Sequence, residues 1–231
     1  MERRTLLRGA AAGAFTLAGA PAVWSQSGTT RVVLGFAPGG SVDILAREVA
    51  EGLAAASGRP AIVENKAGAA GRLAVDFVKQ AAPDGDTLLV APQGPMTLFT
   101  HVFKDKLRYD PARDFSPITR LAVGDFALTL GPLSGARDLA GFRTWLRSAG
   151  EKASYGSPGA GTLPHFVGVT VAQKLGTAMT HVPYPGSAKS MIDLAGGTLA
   201  ATVSPVTEAL ELHKAGRVHI VAITGSRRSP F

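Results

Sequence analysis

Apolar positions along the chain switch between two periods. Residues 31–36, RVVLGF, are a short β-branched run bounded by turn residues and predict a buried strand. Val42, Leu45, Val49 and Leu53 then recur at helical spacing, with Ser41 placed to cap the helix. The rhythm continues. Residues 60–65 (PAIVEN) read as a strand, 71–82 (GRLAVDFVKQAA) as a helix with Leu73, Phe77 and Val78 on one face, 86–92 (DTLLVAP) as a strand and 95–103 (PMTLFTHVF) as a short helix. A polar segment, 104–117, interrupts the pattern, and 118–131 (ITRLAVGDFALTLG) is long and strand-like, as suits a connection leaving one sheet for another. Helices over 138–150, 162–176, 187–197 and 207–216 then alternate with strands over 153–157, 178–184, 198–204 and 218–224. The chain reads as two α/β lobes with a crossover near residues 110–130.

The bulk numbers agree with that architecture. With 231 residues, 45% hydrophobic and 18% charged, the chain holds one large domain or two small ones. Aromatic residues at only 6%, beside abundant Ala, Gly and Val, suit α/β layers. Of the formal charge of +7, Glu2, Arg3, Arg4 and Arg8 supply +2. The remainder is spread without a basic block or interleaved aromatics, which argues against nucleic acid and suits small anionic ligands.

The first 25 residues differ from the rest. MERRTLLRG is basic and carries Arg3-Arg4, the run 10–22 is moderately apolar, and Ala20-Pro21-Ala22 is a small-residue cleavage site. Too short to span a bilayer, this reads as a signal peptide of the twin-arginine type, the alternative being a plain disordered or helical N-terminus. The expected organisation is therefore a signal peptide over 1–25, a first lobe over 26–118 and a second lobe over 119–231. The protein is expected to be exported to the periplasm, without insertion in the membrane after cleavage. There is no cysteine, so no disulfide enters the argument.

In open α/β sheets ligands sit beyond the C-terminal strand ends, which selects the loops APGGS, APQGP, GSPGAGTLPH, YPGSA and SPVT. In the first, backbone N–H groups at Gly39, Gly40 and Ser41 precede a helix and suit an anion. The stretch fits neither G-x-G-x-x-G nor a P-loop, and Asp43 in the first turn repels a multiply charged phosphate. A carboxylate fits better, and a ligand-free βα turn remains the plain alternative. No G-x-S-x-G elbow, H-E-x-x-H or cysteine nucleophile is present, and the five histidines lack metal spacing. Neither a cofactor nor a metal is expected. Donors and close backbone approach without an acid–base pair describe a binding cleft rather than a catalytic one.

The motifs FAPGGSVDILAREVAEGLAAASGRPAIVENKAGAAG, AAPDGDTLLVAP, YDPARDFSPITRLA, YGSPGAGTLPH, HVPYPGSAKSMIDLAGG and AGRVHIVAITGSRRSP occur in order from Arg31 to Pro230. Together they resemble the periplasmic solute-binding proteins of tripartite tricarboxylate transporters, the Bug proteins. The resemblance implies a two-lobed, type II-like Venus flytrap that closes on a small organic carboxylate and delivers it, as a monomer, to membrane transporter subunits. It implies no enzyme. By the same resemblance Gly39, Gly40 and Ser41 hold a carboxylate, partly through ordered waters, and Gln93 and Gly94 reach the cleft. The second lobe contributes Gly159, Thr162, His165, Tyr184, Gly186 and Ser187. Ser204 stands near a place where relatives commonly carry an aspartate, which points to a ligand without an amine. Family members continue for several tens of residues after RSP, so the resemblance also implies a C-terminally truncated chain in which the return to the first lobe is missing. Two other readings compete: an exported small-molecule hydrolase, and a ligand sensor for a signalling kinase.

Overall fold

The computed structural model describes residues 28–229, so the predicted signal peptide, with Arg3-Arg4 and its cleavage site, lies outside the described residues, as do residues 230–231. The first lobe is built on β1 (Thr30–Leu34), α1 (Ser41–Ser57), β2 (Ala61–Asn65), α2 (Arg72–Lys79) and β3 (Thr87–Val90), and its three strands are parallel in the order β2-β1-β3. Val32, Val33 and Leu34 are wholly buried, and Ala46 and Ala50 of α1 pack on Val32, Leu34 and Val90. Small alanines on that face let the helix lie close to the sheet. Three short helices follow: α3 (Gln93–Met96), α4 (Phe99–Val102) and α5 (Pro111–Asp114).

The second lobe comprises β4 (Phe126–Leu130), α6 (Leu139–Ala149), β5 (Ser154–Ser157), α7 (Leu163–Leu175), β6 (Thr180–Pro183), α8 (Ser187–Ala195), β7 (Ala201–Pro205), α9 (Val206–Lys214) and β8 (His219–Ile223). Its sheet runs β6-β5-β7-β4-β8, with β4 antiparallel to both neighbours and the β5 pairings parallel. Phe142 and Leu146 of α6 bury against Leu128, Leu130, Tyr155 and Val203.

The local differences from the sequence reading have physical reasons. The strand expected over 118–131 is confined to Phe126–Leu130, and residues 118–125 are exposed and irregular. That stretch has no neighbouring strand to pair with, so β-propensity alone does not hold it. The helix expected over 95–103 is two short ones, broken at Thr97 with φ −129° and ψ −56°. Helix α1 is capped by Gly40 rather than Ser41, in extended geometry and with no side-chain cap bond. Ser41 is already helical, and its amide is satisfied from the other lobe.

Helix α7 lies so close to β5 that a β-carbon on Gly168 would stand 2.0 Å from Cε2 of Tyr155. The Tyr155 hydroxyl also donates to the carbonyl of His165 at 3.0 Å, fixing the ring. Gly168→Ala is therefore expected to destabilise the protein by about 1–3 kcal/mol, the cost of overpacking, despite alanine's better helix propensity. Urea unfolding of the two proteins checks this, and a rise in stability would show that the helix can move away from the ring.

Candidate functional site

The loop after β1 is organised by Asp43, whose side chain is only 4% exposed. Oδ2 accepts the Gly39 N–H at 3.0 Å and Nε of Arg47 at 3.0 Å, while Oδ1 accepts Nδ2 of Asn65 at 2.8 Å. Asn65, at the end of β2, also donates to the Phe36 carbonyl at 3.0 Å. Burial pushes the Asp43 pKa up, but the bonds from Arg47, Asn65 and Gly39 more than offset this, and the group lies below the usual aspartate value. The next donor, the Ser41 N–H, gives a 2.8 Å bond to Oε1 of Glu208 on α9. Two of the three amides expected to receive a ligand therefore already serve carboxylates of the chain itself.

The loop joining β2 to α2 has an unusual backbone. Gly68, Ala69, Ala70 and Gly71 have φ of 145°, 48°, 57° and 95°. Left-handed geometry costs an alanine roughly 1–2 kcal/mol, so two in succession mark a segment held by its surroundings. Gly71 is pressed against Gly35, where a β-carbon would stand 2.3 Å from the Gly71 Cα. Among the described residues, the Ala69 and Ala70 amides donate to no protein acceptor.

This loop faces the second lobe across a cavity of about 290 Å³. Gly35, Phe36, residues 68–70, Arg72 and Phe103 form one wall, and Pro158, Gly159, Ala160 and residues 183–185 the other. The lobes meet at its rim. The Ala37 N–H donates to the Pro185 carbonyl at 2.8 Å, and a β-carbon on Gly159 would lie 2.7 Å from that of Ala70. A larger cavity of about 480 Å³ lies among α1, α8 and α9, lined by Ile44, Met191, Ile192 and Leu212 with Glu208 and Arg217. Its walls are mostly helix side chains, whereas the smaller cavity is walled by strand-end loops of both sheets. The smaller one is the candidate site.

The structure separates the residues expected from sequence. Gly159 and Tyr184 line the 290 Å³ cavity, and Gly186 closes its edge 3.5 Å from the Ala37 amide, measured from a β-carbon position. Gly39 and Ser41 line the larger cavity instead, and a β-carbon on Gly40 would lie 3.5 Å from Oε1 of Glu208. Thr162 is buried as the N-cap of α7, donating to the Gly159 carbonyl at 2.7 Å. His165 turns inward, its Nδ1 accepting the Gly161 N–H at 3.1 Å. Ser187 is buried at the start of α8, its carbonyl accepting from Ser190. Gln93 is exposed and Gly94 packs on Phe99, and neither lines either cavity. Ser204 is fully buried with its hydroxyl 3.7 Å from the sulfur of Met191, and it too lines neither. The residues that sequence reasoning passed over are Ala69, Ala70, Arg72, Phe103 and Glu208. For Arg72 a signal existed: a cation at the first position of a helix opposes the helix dipole, so it needs a reason to stand there.

Behind the cavity the His165 and His181 rings stack at 4.0 Å, and Nε2 of His181 lies 2.7 Å from the Ser157 hydroxyl. Ser157 is fully buried and its hydroxyl donates to the Gly159 carbonyl at 3.1 Å, which leaves the His181 N–H as the donor toward it. No carboxylate is hydrogen-bonded to His181 among the described residues. Burial, then the charge of His165, lowers the His181 pKa from 6.5 to about 4. The unfolded chain therefore takes up this proton first. Stability is expected to be unaffected by this group above pH 6.5 and to fall between pH 6.5 and about 4. The total loss is on the order of 3 kcal/mol. His181→Gln should flatten this limb of a pH–stability curve, and an unchanged curve would mean that the ring titrates freely in the folded protein.

Comparison with known proteins places this geometry in context. Residues 45–230 match the family described as tripartite tricarboxylate transporter family receptor. A UPF0065 protein of Cupriavidus necator is 32% identical over 199 residues, covering 86% of this chain, and the chain spans 60% of that relative's length. Among solved structures, MatC of Rhodopseudomonas palustris with bound malate is 30% identical with a TM-score of 0.80, covering 87% of this chain and 68% of that one. The R. palustris protein Rpa4515 with adipate is 27% identical with a TM-score of 0.81, covering 89% and 68%. The chain belongs to the tripartite tricarboxylate transporter receptor family, the Bug-type solute-binding proteins.

Proposed function

We propose that this protein captures a small organic carboxylate outside the cytoplasm and delivers it to a tripartite membrane transporter without transforming it. The observation that carries this reading is the 290 Å³ cavity walled by strand-end loops of both lobes. A ligand there touches both lobes at once, and only such differential contact favours the closed arrangement over an open one. The wall offers amides, a guanidinium and close backbone approach, with no titratable acid–base pair facing the space. Malate in MatC and adipate in Rpa4515 give the ligand class its support. Export directed by Arg3-Arg4 and action as a monomer belong to the same proposal. So do ligand contacts by Gly159, Tyr184 and Gly186.

Gly159 offers the sharpest test, because a side chain there would meet Ala70 across the cleft at 2.7 Å. A panel of small mono- and dicarboxylates including malate and adipate is expected to raise the melting temperature of the wild type. At 100 times the dissociation constant the gain is about 2.7 kcal/mol. Gly159→Val should abolish the shift while the unliganded melting temperature stays close to wild type, since the obstruction lies between the lobes. Ligand recovered unchanged after prolonged incubation would exclude the hydrolase. Equal shifts in both proteins would remove this cleft from binding.

A further inference from the structure

The charge carried by the walls of the candidate cleft is uneven. Arg72 is the one charged side chain among the residues lining the 290 Å³ cavity. Its Nε donates to the Ala69 carbonyl at 3.0 Å, and its guanidinium carbon lies 4.1 Å from the centroid of the Phe103 ring. No carboxylate lies within ion-pair distance of Arg72 among the described residues, although Asp76 stands one turn further along α2. The guanidinium is thus held in place by a carbonyl and an aromatic face, with its terminal nitrogens uncommitted. Beside it are the Ala69 and Ala70 amides, which also lack a protein acceptor among the described residues. The opposite wall is Pro158, Gly159, Ala160, Pro183, Tyr184 and Pro185, and the Tyr184 hydroxyl is already spent on Asp193 at 2.8 Å.

We infer that Arg72 is the charge partner of the bound ligand, and that the cleft selects an acid with a single carboxylate and an apolar body. This rests on the carboxylate-binding reading above and narrows it. The carboxylate seats on the first lobe, against Arg72 and the amides of Ala69 and Ala70. A planar guanidinium suits a carboxylate in two-point contact, and the neighbouring amides add donors to the same group. The apolar body lies on the proline-rich wall and the rings of Phe36 and Tyr184. A second carboxylate directed at that wall would lose its water without meeting a cation, which is costly. Size does not decide the matter, since about 290 Å³ equals the share of roughly ten waters and admits a six-carbon acid of either kind. Charge does.

Hexanoate, adipate and hexanamide share a six-carbon chain and differ only in carboxylate count, so titration calorimetry with these three isolates the effect. Wild type is expected to bind hexanoate at least tenfold more tightly than adipate and to bind hexanamide at least tenfold more weakly than hexanoate. Arg72→Gln should lose at least tenfold in hexanoate affinity and bring hexanoate and hexanamide together. Arg72→Lys should fall between, because it keeps the charge without the fork. Should Arg72→Gln fail to fold, the wild-type ranking of the three probes still decides. Adipate binding as tightly as hexanoate, or an unchanged hexanoate affinity in folded Arg72→Gln, overturns the inference and leaves carboxylate capture standing. Failure of hexanoate, adipate and malate alike to bind wild type removes the carboxylate reading itself.

Discussion

The cleft wall of the first lobe depends on one buried carboxylate. Asp43 gathers the Gly39 amide, Arg47 and Asn65, and Asn65 passes the constraint on to the Phe36 carbonyl. Through these bonds the loop after β1 and the end of β2 become one piece. The segment that follows β2 then has nowhere to go except across Gly35, which it meets at backbone distance. Its left-handed alanines follow from this confinement. They line the space between the lobes, and among the described residues their amides have no protein acceptor. A buried ion held by so many bonds is costly to disturb, since any lost partner leaves charge without compensation.

The second lobe meets that wall with little but backbone and small side chains. Gly159 lies over Ala70, Gly161 over Phe103 and Gly186 over Ala37. Missing side chains are what permit the approach. A carbonyl of Pro185 then satisfies the Ala37 amide, and Glu208 satisfies that of Ser41. Lobe contact is therefore local, made by these two hydrogen bonds and by close backbone approaches over small residues. Interfaces of that kind separate and rejoin more readily than an apolar core does.

Much of the fold was legible because it rests on local patterning. Buried Val32 to Leu34 and the helical spacing after them specify β1 and α1 before any tertiary contact is known. The crossover was harder, since residues 118–125 carry strand-like side chains but find no partner. The site was legible only in part. Glycine-rich strand ends announce where backbones approach, and Gly159 and Tyr184, expected from the family resemblance, line the cavity between the lobes. The spacing of a loop does not tell which acceptor takes its amides. Ser41 and Glu208 are 167 residues apart, so the carboxylate that claims this loop cannot be read from either neighbourhood. Ser204 shows the converse: near the cleft by sequence position, it faces inward because strand side chains alternate and its turn falls on the Met191 side.

The Glu208 contact bears on where the proposed carboxylate would sit. The α1 N-terminus favours an anion, as its exposed amides and dipole require, and the anion it holds is a side chain of the facing lobe. A ligand carboxylate directed to the same amide would have to displace Glu208 and meet its charge at close range, in a setting where screening by water is weak. The loop after β2 imposes no such penalty: among the described residues the Ala69 and Ala70 amides have no protein acceptor, and Arg72 is the one charged side chain lining the cleft. Two anion-favouring positions on the first lobe thus differ: one fastens the lobes through the protein's own carboxylate, and the other is the seat we infer for a carboxylate from outside.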